Sequence, residues 1–366
     1  MIRVLHIGLS SHLGGIESYL YKLANNINKK KYKFDFMVIG DEQKACYYDD
    51  LKRIGCGFYS VTSRKDSYIK HKKDIKELFK NNNFDIIHCH MNSLSNIAPI
   101  KLALKFNRKV IVHSRNGQLS SSHFFITKFL HYYNCLRLPK KDVKKLAVSK
   151  VAGEWMFGKN ADFSVLNNGI DVNKFKFNEV ARRKIRQQLD IKDEFCIVHV
   201  GAFRSQKNHD FILDIFKHFV EIKPKSKLLL LGTGELMSQF KYKANELGII
   251  NNILMVGNKN NVSDYLSAGD VFLFPSLFEG FPNAVLEAQA SGLPCLISDT
   301  ITKEVLINNN CVTFPLEKSP IEWAQKILEL PAFDNRLKAA ENITQCGLSV
   351  KQEVKKIETI YKEFVN

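Results

Sequence analysis

The sequence predicts an α/β protein of two doubly wound parallel-sheet domains facing a central cleft, and three observations predict it. At 366 residues the chain exceeds what one hydrophobic core supports, so two domains of roughly 150 to 200 residues are expected. Short apolar runs alternate with segments of helical period from the first residue, the pattern of a parallel sheet flanked by helices. The charge divides unevenly: residues 1–175 hold 30 Lys and Arg against 14 Asp and Glu, whereas residues 176–366 hold 24 against 23.

Taken in order, the apolar runs Val4 to Ile7, Phe34 to Ile39, Asp85 to Cys89, Lys109 to His113 and Leu146 to Ser149 are the expected strands of the first domain. Ile16 to Asn28 and Ile69 to Asn81 are two of its helices. The join is expected near Asn167-Asn168-Gly169-Ile170-Asp171, a cluster of turn formers after the strand-like Ser164 to Leu166. A second strand series follows at Phe195 to Val200, Lys227 to Leu231, Ile253 to Val256, Val271 to Pro275 and Pro294 to Ser298. The terminal Val350 to Phe364 carries apolar residues at Val354, Ile357, Ile360 and Phe364 and is expected to be a lysine-rich helix. In doubly wound domains ligands gather at the C-terminal ends of the strands.

Hydrophobic residues at 45% and charged residues at 25% indicate neither disorder nor a membrane-embedded body. No run approaches about 18 apolar residues and the N-terminus lacks the features of a signal peptide, so a cytoplasmic protein is expected. Eight cysteines stand singly with no C-x-x-C pair, which fits reduced thiols. His88-Cys89-His90 puts two imidazoles on one face of a strand, but no third ligand stands at a familiar spacing, so no metal is expected. The basic first half is open to three readings: nucleic acid, an anionic membrane surface, or solubility alone.

The sharpest chemical signal is Ser276-Leu-Phe-Glu279-Gly280-Phe281-Pro282-Asn283-Ala284-Val-Leu-Glu287-Ala-Gln-Ala-Ser-Gly292-Leu-Pro294. An apolar strand runs into a loop, and a helix starts near Asn283; such a start offers backbone N–H groups and a partial positive charge to a diphosphate. Glu279 in the loop and Glu287 in the helix are then placed for hydroxyls at opposite ends of that diphosphate. This segment closely resembles the E-x7-E signature of retaining glycosyltransferase family 4, with the E-A-x-A-x-G-x-P tail in place. The resemblance implies the GT-B architecture of two Rossmann-like domains, with Glu279 on hydroxyls of the transferred sugar and Glu287 on the ribose.

Further segments resemble the family in the same order, over residues 4 to 310 or so. Val200-Gly-Ala202-Phe-Arg204-Ser-Gln-Lys207-Asn208-His209 resembles the segment whose basic side chains grip the diphosphate. Position 202 is Ala where many members carry Arg, so the cationic role falls to Lys207, with Arg204 as a substitute. Cations there stabilise charge building on the departing diphosphate. Gly232-Thr233-Gly234 resembles the turn beside the nucleotide, and Val256 to Val262, with Asn260, the segment that reads the base. The resemblance brings the paired Gly14-Gly15 close to the donor phosphates, although the loop is not G-x-G-x-x-G and carries no nicotinamide fingerprint. It also places His113 against the transferred sugar; His90, at another strand end, is a weaker acceptor-side candidate. Ala147 to Gly158, Lys207-Asn-His209 and Ser298-Asp-Thr-Ile301 resemble bacterial capsular and exopolysaccharide glycosyltransferases in particular.

The implied function is transfer of a hexose or N-acetylhexosamine from a nucleoside diphosphate, with a UDP-sugar expected, to a lipid-linked saccharide, with retention and without cofactor or metal. Residues 1–170 are the expected acceptor domain and 171–348 the donor domain, with helix 349–366 crossing back to the first. Docking on the inner face of an anionic membrane is expected through Lys29-Lys30-Lys31 with Lys33, Lys70 with Lys72-Lys73, and Lys140-Lys141 with Lys144-Lys145. Phe124-Phe125, Phe129-Leu130 and Tyr132-Tyr133 are the apolar anchor of that expectation. Two other functions share parts of the pattern. A sugar-nucleotide 2-epimerase has the same architecture but needs no acceptor. A nucleic-acid binder needs aromatic and basic residues interleaved on one face, and no such segment stands out. Oligomeric state has no signal in the sequence.

Overall fold

The structure, a computed structural model, describes residues 1–118, 124–139, 141–331 and 335–366. Lys140 and the side chain of Phe124, both named above as membrane contacts, lie outside the described residues. The chain divides into two compact units, Met1–Asn168 with Val350–Asn366, and Gly169–Ser349.

The first unit holds a seven-stranded sheet of β1 (Ile2–Ile7), β2 (Tyr32–Ile39), β3 (Gly57–Val61), β4 (Ile86–Met91), β5 (Lys109–Ser114), β6 (Val143–Ala147) and β7 (Ser164–Val165). All its pairings are parallel, in the order β3-β2-β1-β4-β5-β6-β7. The order reverses between β1 and β4, where His6 stands opposite His88. Side chains alternate between the two faces. Val4, Ile86 and Ile111 face a core shared with the helix Gly15–Asn26 and the terminal helix Val350–Val365, while Leu5, Ile87, Cys89 and Val112 face the other core. The terminal helix is held by burial of Ile357 and Tyr361 and by Lys22 against the buried Glu353 at 3.0 Å.

The second unit holds six parallel strands: β8 (Phe195–Val200), β9 (Ser226–Leu231), β10 (Ile253–Gly257), β11 (Val271–Phe274), β12 (Cys295–Ser298) and β13 (Cys311–Phe314). Their order is β10-β9-β8-β11-β12-β13, so the reversal lies between β8 and β11. Asp270 fixes the entry to β11: it accepts from the Cys196 amide at 2.8 Å and pairs with Arg182 and Arg186.

Two strands were not expected from the sequence. β3 starts at Gly57, whose amide donates to Asp35 Oδ1 at 2.9 Å; a Cβ there would overlap that carboxylate, so glycine is needed where a strand-former is looked for. β13 is a four-residue edge strand, too short for a period to show. No helix among the described residues is long and apolar enough to cross a membrane.

Candidate functional site

In the second unit the loops leaving β8 and β11, the two strands at the order reversal, bring Lys207 and Glu279 together. Lys207 Nζ lies 2.7 Å from Glu279 Oε1, with both side chains mostly withdrawn from solvent, and the ammonium also sits 4.4 Å from the Phe274 ring centroid. Neighbours on the same loops hold this pair in place. Gln206 Nε2 donates to the Phe278 carbonyl at 2.9 Å, and the Leu277 amide donates to the Gln206 carbonyl at 2.9 Å. Asn208, with φ 56°, donates from Nδ2 to the Pro275 carbonyl at 3.2 Å. Ser298 and Thr300 hydroxyls donate to the Ser276 carbonyl from the far side. The sequence motifs name Lys207 and Glu279 but give no hint of Gln206, whose bracket is visible only once the loops are side by side.

The helix Asn283–Ala290 follows immediately, with Pro282 as its N-cap and no side chain capping its first turn. Gly280, Phe281 and Pro282 are buried, while Asn283, Ala284 and Glu287 are half-buried on the helix. Arg204 is exposed, and among the described residues its side chain makes no hydrogen bond or ion pair. Asn260 is exposed too, its carbonyl accepting from Lys174 Nζ at 3.3 Å. Gly232 and Gly234 have a packing reason: a Cβ on Gly234 would stand 2.5 Å from the Phe203 carbonyl, and one on Gly232 would overlap that of Gly201. The loop after β9 therefore crosses directly over the loop that carries Lys207.

In the first unit Gly14 is the extended N-cap of the helix Gly15–Asn26; it is half-buried and Gly15 is exposed. Glu17 in the first turn accepts from Ser10 Oγ at 2.7 Å, and a Cβ on Gly14 would stand 2.9 Å from its other oxygen. Beneath this helix four histidines share one face of the sheet: His6 on β1, His88 and His90 on β4, His113 on β5. His6, unremarked in the sequence, is the third imidazole beside His88 and His90, brought in by the β1–β4 pairing; ligand nitrogens of the three lie within 4.8 Å of one another. His6 Nδ1 and His90 Nε2 are 3.0 Å apart and form one hydrogen-bonded pair.

The other pair belongs to a longer chain with fixed direction. Arg115 only donates, so its Nη1 contact of 3.4 Å makes His113 Nε2 an acceptor. The His113 proton is then on Nδ1, facing His88 Nε2 at 3.2 Å, and that of His88 is on Nδ1, facing the Tyr361 hydroxyl at 2.7 Å. Burial holds all four rings neutral: His6 is pushed down to about 3, and His88, His90 and His113 fall well below the usual histidine value, with the Arg115 cation adding to the shift of these three. Arg115 also lies 3.7 Å from the Tyr19 ring centroid and donates to Asn168 Oδ1 at 3.0 Å.

Comparison with known proteins agrees with this layout. Residues 181–345 match the profile of "Glycosyl transferases group 1", and residues 13–174 that of "Glycosyltransferase Family 4". EpsF of Bacillus subtilis (strain 168), described as a glycosyltransferase, is 29% identical over 98% of this chain and 96% of its own. The Escherichia coli UDP-Gal:alpha-D-GlcNAc-diphosphoundecaprenol alpha-1,3-galactosyltransferase is 26% identical over 100% of this chain and 97% of its own. Among solved structures, Anabaena HepE in complex with UDP and glucose superposes with a TM-score of 0.80 at 16% identity, covering 99% of this chain and 100% of that one.

Proposed function

Since the chain belongs to glycosyltransferase family 4 and has the GT-B fold, we propose that it is a retaining hexosyltransferase that moves a hexose or N-acetylhexosamine from a UDP-sugar to a lipid-linked saccharide in capsular or exopolysaccharide assembly. The observation that carries this reading is the Lys207–Glu279 pair at the order reversal of the second sheet, where a doubly wound domain binds its ligand. Support for the donor comes from HepE, whose structure holds UDP and glucose, and support for the acceptor from the Escherichia coli relative, which acts on a diphosphoundecaprenol-linked sugar.

In this reading the acceptor hydroxyl attacks the anomeric carbon from the face that the nucleotide leaves. A new C–O glycosidic bond forms as the bond to the β-phosphate oxygen breaks, and the hydroxyl proton passes to that leaving phosphate. No protein carboxylate serves as base. Lys207 and the start of the helix Asn283–Ala290 stabilise charge on the leaving diphosphate, with Arg204 as a second cation. Glu279 holds sugar hydroxyls, Glu287 the ribose, and Asn260 lies in the segment that meets the base. In the first unit the assigned residues are Gly14, Gly15 and His113, the last exchanging its long Arg115 contact for a sugar hydroxyl. The enzyme works in the cytoplasm at the inner face of the membrane.

A panel of UDP-, GDP- and ADP-sugars tests the reading. The true donor at about 100 times its Kd adds roughly 2.7 kcal/mol of stability, and with a diphosphate-lipid acceptor it yields a glycoside whose anomeric configuration, read by NMR, matches the donor's. An inverted product, or conversion of the donor alone to another sugar nucleotide, overturns it.

A further inference from the structure

Arg115 of the first unit is a half-buried cation that makes no ion pair among the described residues. It follows β5 directly, and its amide donates to the Met91 carbonyl at 2.9 Å, which fixes it beside the end of β4. The groups against its guanidinium are neutral: the Tyr19 ring centroid at 3.7 Å, Asn168 Oδ1 at 3.0 Å and His113 Nε2 at 3.4 Å. Glu353 and Glu17 act on it only through space, and each is engaged elsewhere, Glu353 with Lys22 at 3.0 Å and Glu17 with Ser10 Oγ at 2.7 Å. By contrast Arg3 pairs with Asp35 at 2.6 Å, Arg182 with Asp270 at 2.7 Å, and Arg336 donates to the Ser291 and Gly269 carbonyls at 2.9 and 3.2 Å. A charge drawn from water without such partners is costly, so Arg115 calls for an anion.

Its place in the fold says where that anion comes from. The C-terminal ends of β1 and β4, with β5 beside them, frame the order reversal of this sheet, where a doubly wound domain takes its ligand. The sheet face beneath supplies no negative charge, since His6, His88, His90 and His113 line it. A guanidinium has five N–H donors, more than Asn168 and His113 accept. When His113 turns to a sugar hydroxyl, Nη1 and the second proton of Nη2 remain as a fork, which matches two oxygens of a phosphate or a carboxylate.

We infer that Arg115 binds an oxyanion carried by the acceptor, the diphosphate that joins its sugar to the lipid. The inference rests on the reading above that the acceptor is a lipid-linked saccharide, and it names the residue that tells such an acceptor from a free sugar. A carboxylate on the acceptor sugar offers the same pair of oxygens, and the experiment separates the two sources.

The test uses the full chain and acceptors in which N-acetylglucosamine, glucose or galactose is joined to one short alkyl chain, either through a diphosphate or directly, together with the glucuronide of that chain. Arg115→Met, whose unbranched side chain still covers the Tyr19 ring, is expected to lose about 30-fold more kcat/KM on the diphosphate acceptor than on the directly joined one. Arg115→Lys, which keeps the charge without the fork, is expected to lose less. A loss concentrated on the glucuronide supports the same site with a carboxylate as its ligand. Equal loss on charged and neutral acceptors, or none on either, overturns the inference, since Arg115 then serves only His113 or the fold. Calorimetry with isopentenyl diphosphate, with UDP present to fill the second unit, reads the site without turnover. Binding should weaken in both variants, and Arg115→Lys carries the comparison where Arg115→Met does not fold. Wild-type transfer with undiminished isopentenyl diphosphate binding in the variants defeats only the Arg115 site. Weakened binding in the variants, with no transfer by the wild type to any acceptor, defeats the reaction and leaves the site.

Discussion

The Lys207 ammonium and the Glu279 carboxylate, 72 positions apart in the chain, meet at 2.7 Å where the loops of β8 and β11 converge. An ammonium has three donors, so Lys207 can stay on Glu279 with one proton and offer the others to a diphosphate. Glu279 thereby orients the cation, in addition to the contact with sugar hydroxyls proposed for it.

This makes the pair non-additive. Lys207→Ala is expected to cost about 3 to 4 kcal/mol of transition-state stabilisation, and Glu279→Gln to abolish most turnover while nucleoside diphosphate still binds. The double variant is expected to fall short of the sum by about 1 kcal/mol or more, because each single change already strands the other member. Kinetics of all four forms check this; strict additivity removes the orienting role.

Glu287 sits in the helix beyond Glu279 and is the residue proposed to hold the ribose. Glu287→Gln is expected to weaken UDP binding in calorimetry with a smaller loss of kcat. Equal loss of UDP affinity in Glu279→Gln and Glu287→Gln counts against the division of roles.

Gly234→Ala drives a methyl group to within 2.5 Å of the Phe203 carbonyl, and Phe203 is itself buried under the helix that follows Lys207. Overpacking of this kind costs about 3 kcal/mol. A lowered Tm, with activity falling in step, is the expected result.

Tyr361 anchors the far end of the hydrogen-bond chain through His88 to His113. Tyr361→Phe removes the acceptor for the His88 Nδ1 proton, while Arg115 still holds the His113 proton on Nδ1. The His88 Nδ1 shift by NMR should then move as its hydrogen bond is lost, with His113 still protonated on Nδ1, whereas a purely packing role for Tyr361 leaves the His88 shift unchanged.

Acid should unfold the first unit before the second. A histidine whose folded value is lowered binds protons more readily when unfolded, so its stability is complete above the unfolded value near 6.5 and is lost as pH falls towards the folded one, about 3 for His6. Each such ring costs about 1.4 kcal/mol per pH unit in that window. The first unit has His6, His88, His90 and His113; the second has His199, lowered by burial and His209, and His209, pushed by burial and then by Lys207 to about 4. Each unit holds one of the two tryptophans, Trp155 and Trp323. Single-tryptophan variants should therefore show a higher midpoint pH for Trp155.

Much of this can be read in advance where the physics is local. Alternating apolar runs give the parallel sheets, and the strand-loop-helix around Glu279 is found as expected. His88 and His90 read as a same-face pair because strand alternation is local; that His6 and His113 complete the row depends on the order β1-β4-β5, which no pattern in one strand encodes. The same holds for Gln206 and the Phe278 carbonyl. Phe129 and Leu136 have a hydrophobicity that reads equally as core or as surface; only the buried His131 and half-buried Asn134 on the opposite side decide it.

The terminal helix Val350–Val365 completes the core of the unit that is made first, with Val354, Ile357 and Tyr361 among the side chains that fill it. On the ribosome the usual order is then inverted. Residues 169–349 form a closed unit that has all its parts before synthesis ends, whereas the earlier unit waits, with Leu20, Leu23 and Phe34 uncovered, for the last turns of the chain. A stop codon between positions 350 and 361 would thus spare the younger half of the protein and leave the older half unfinished, exposing its sheet to chaperones and proteases.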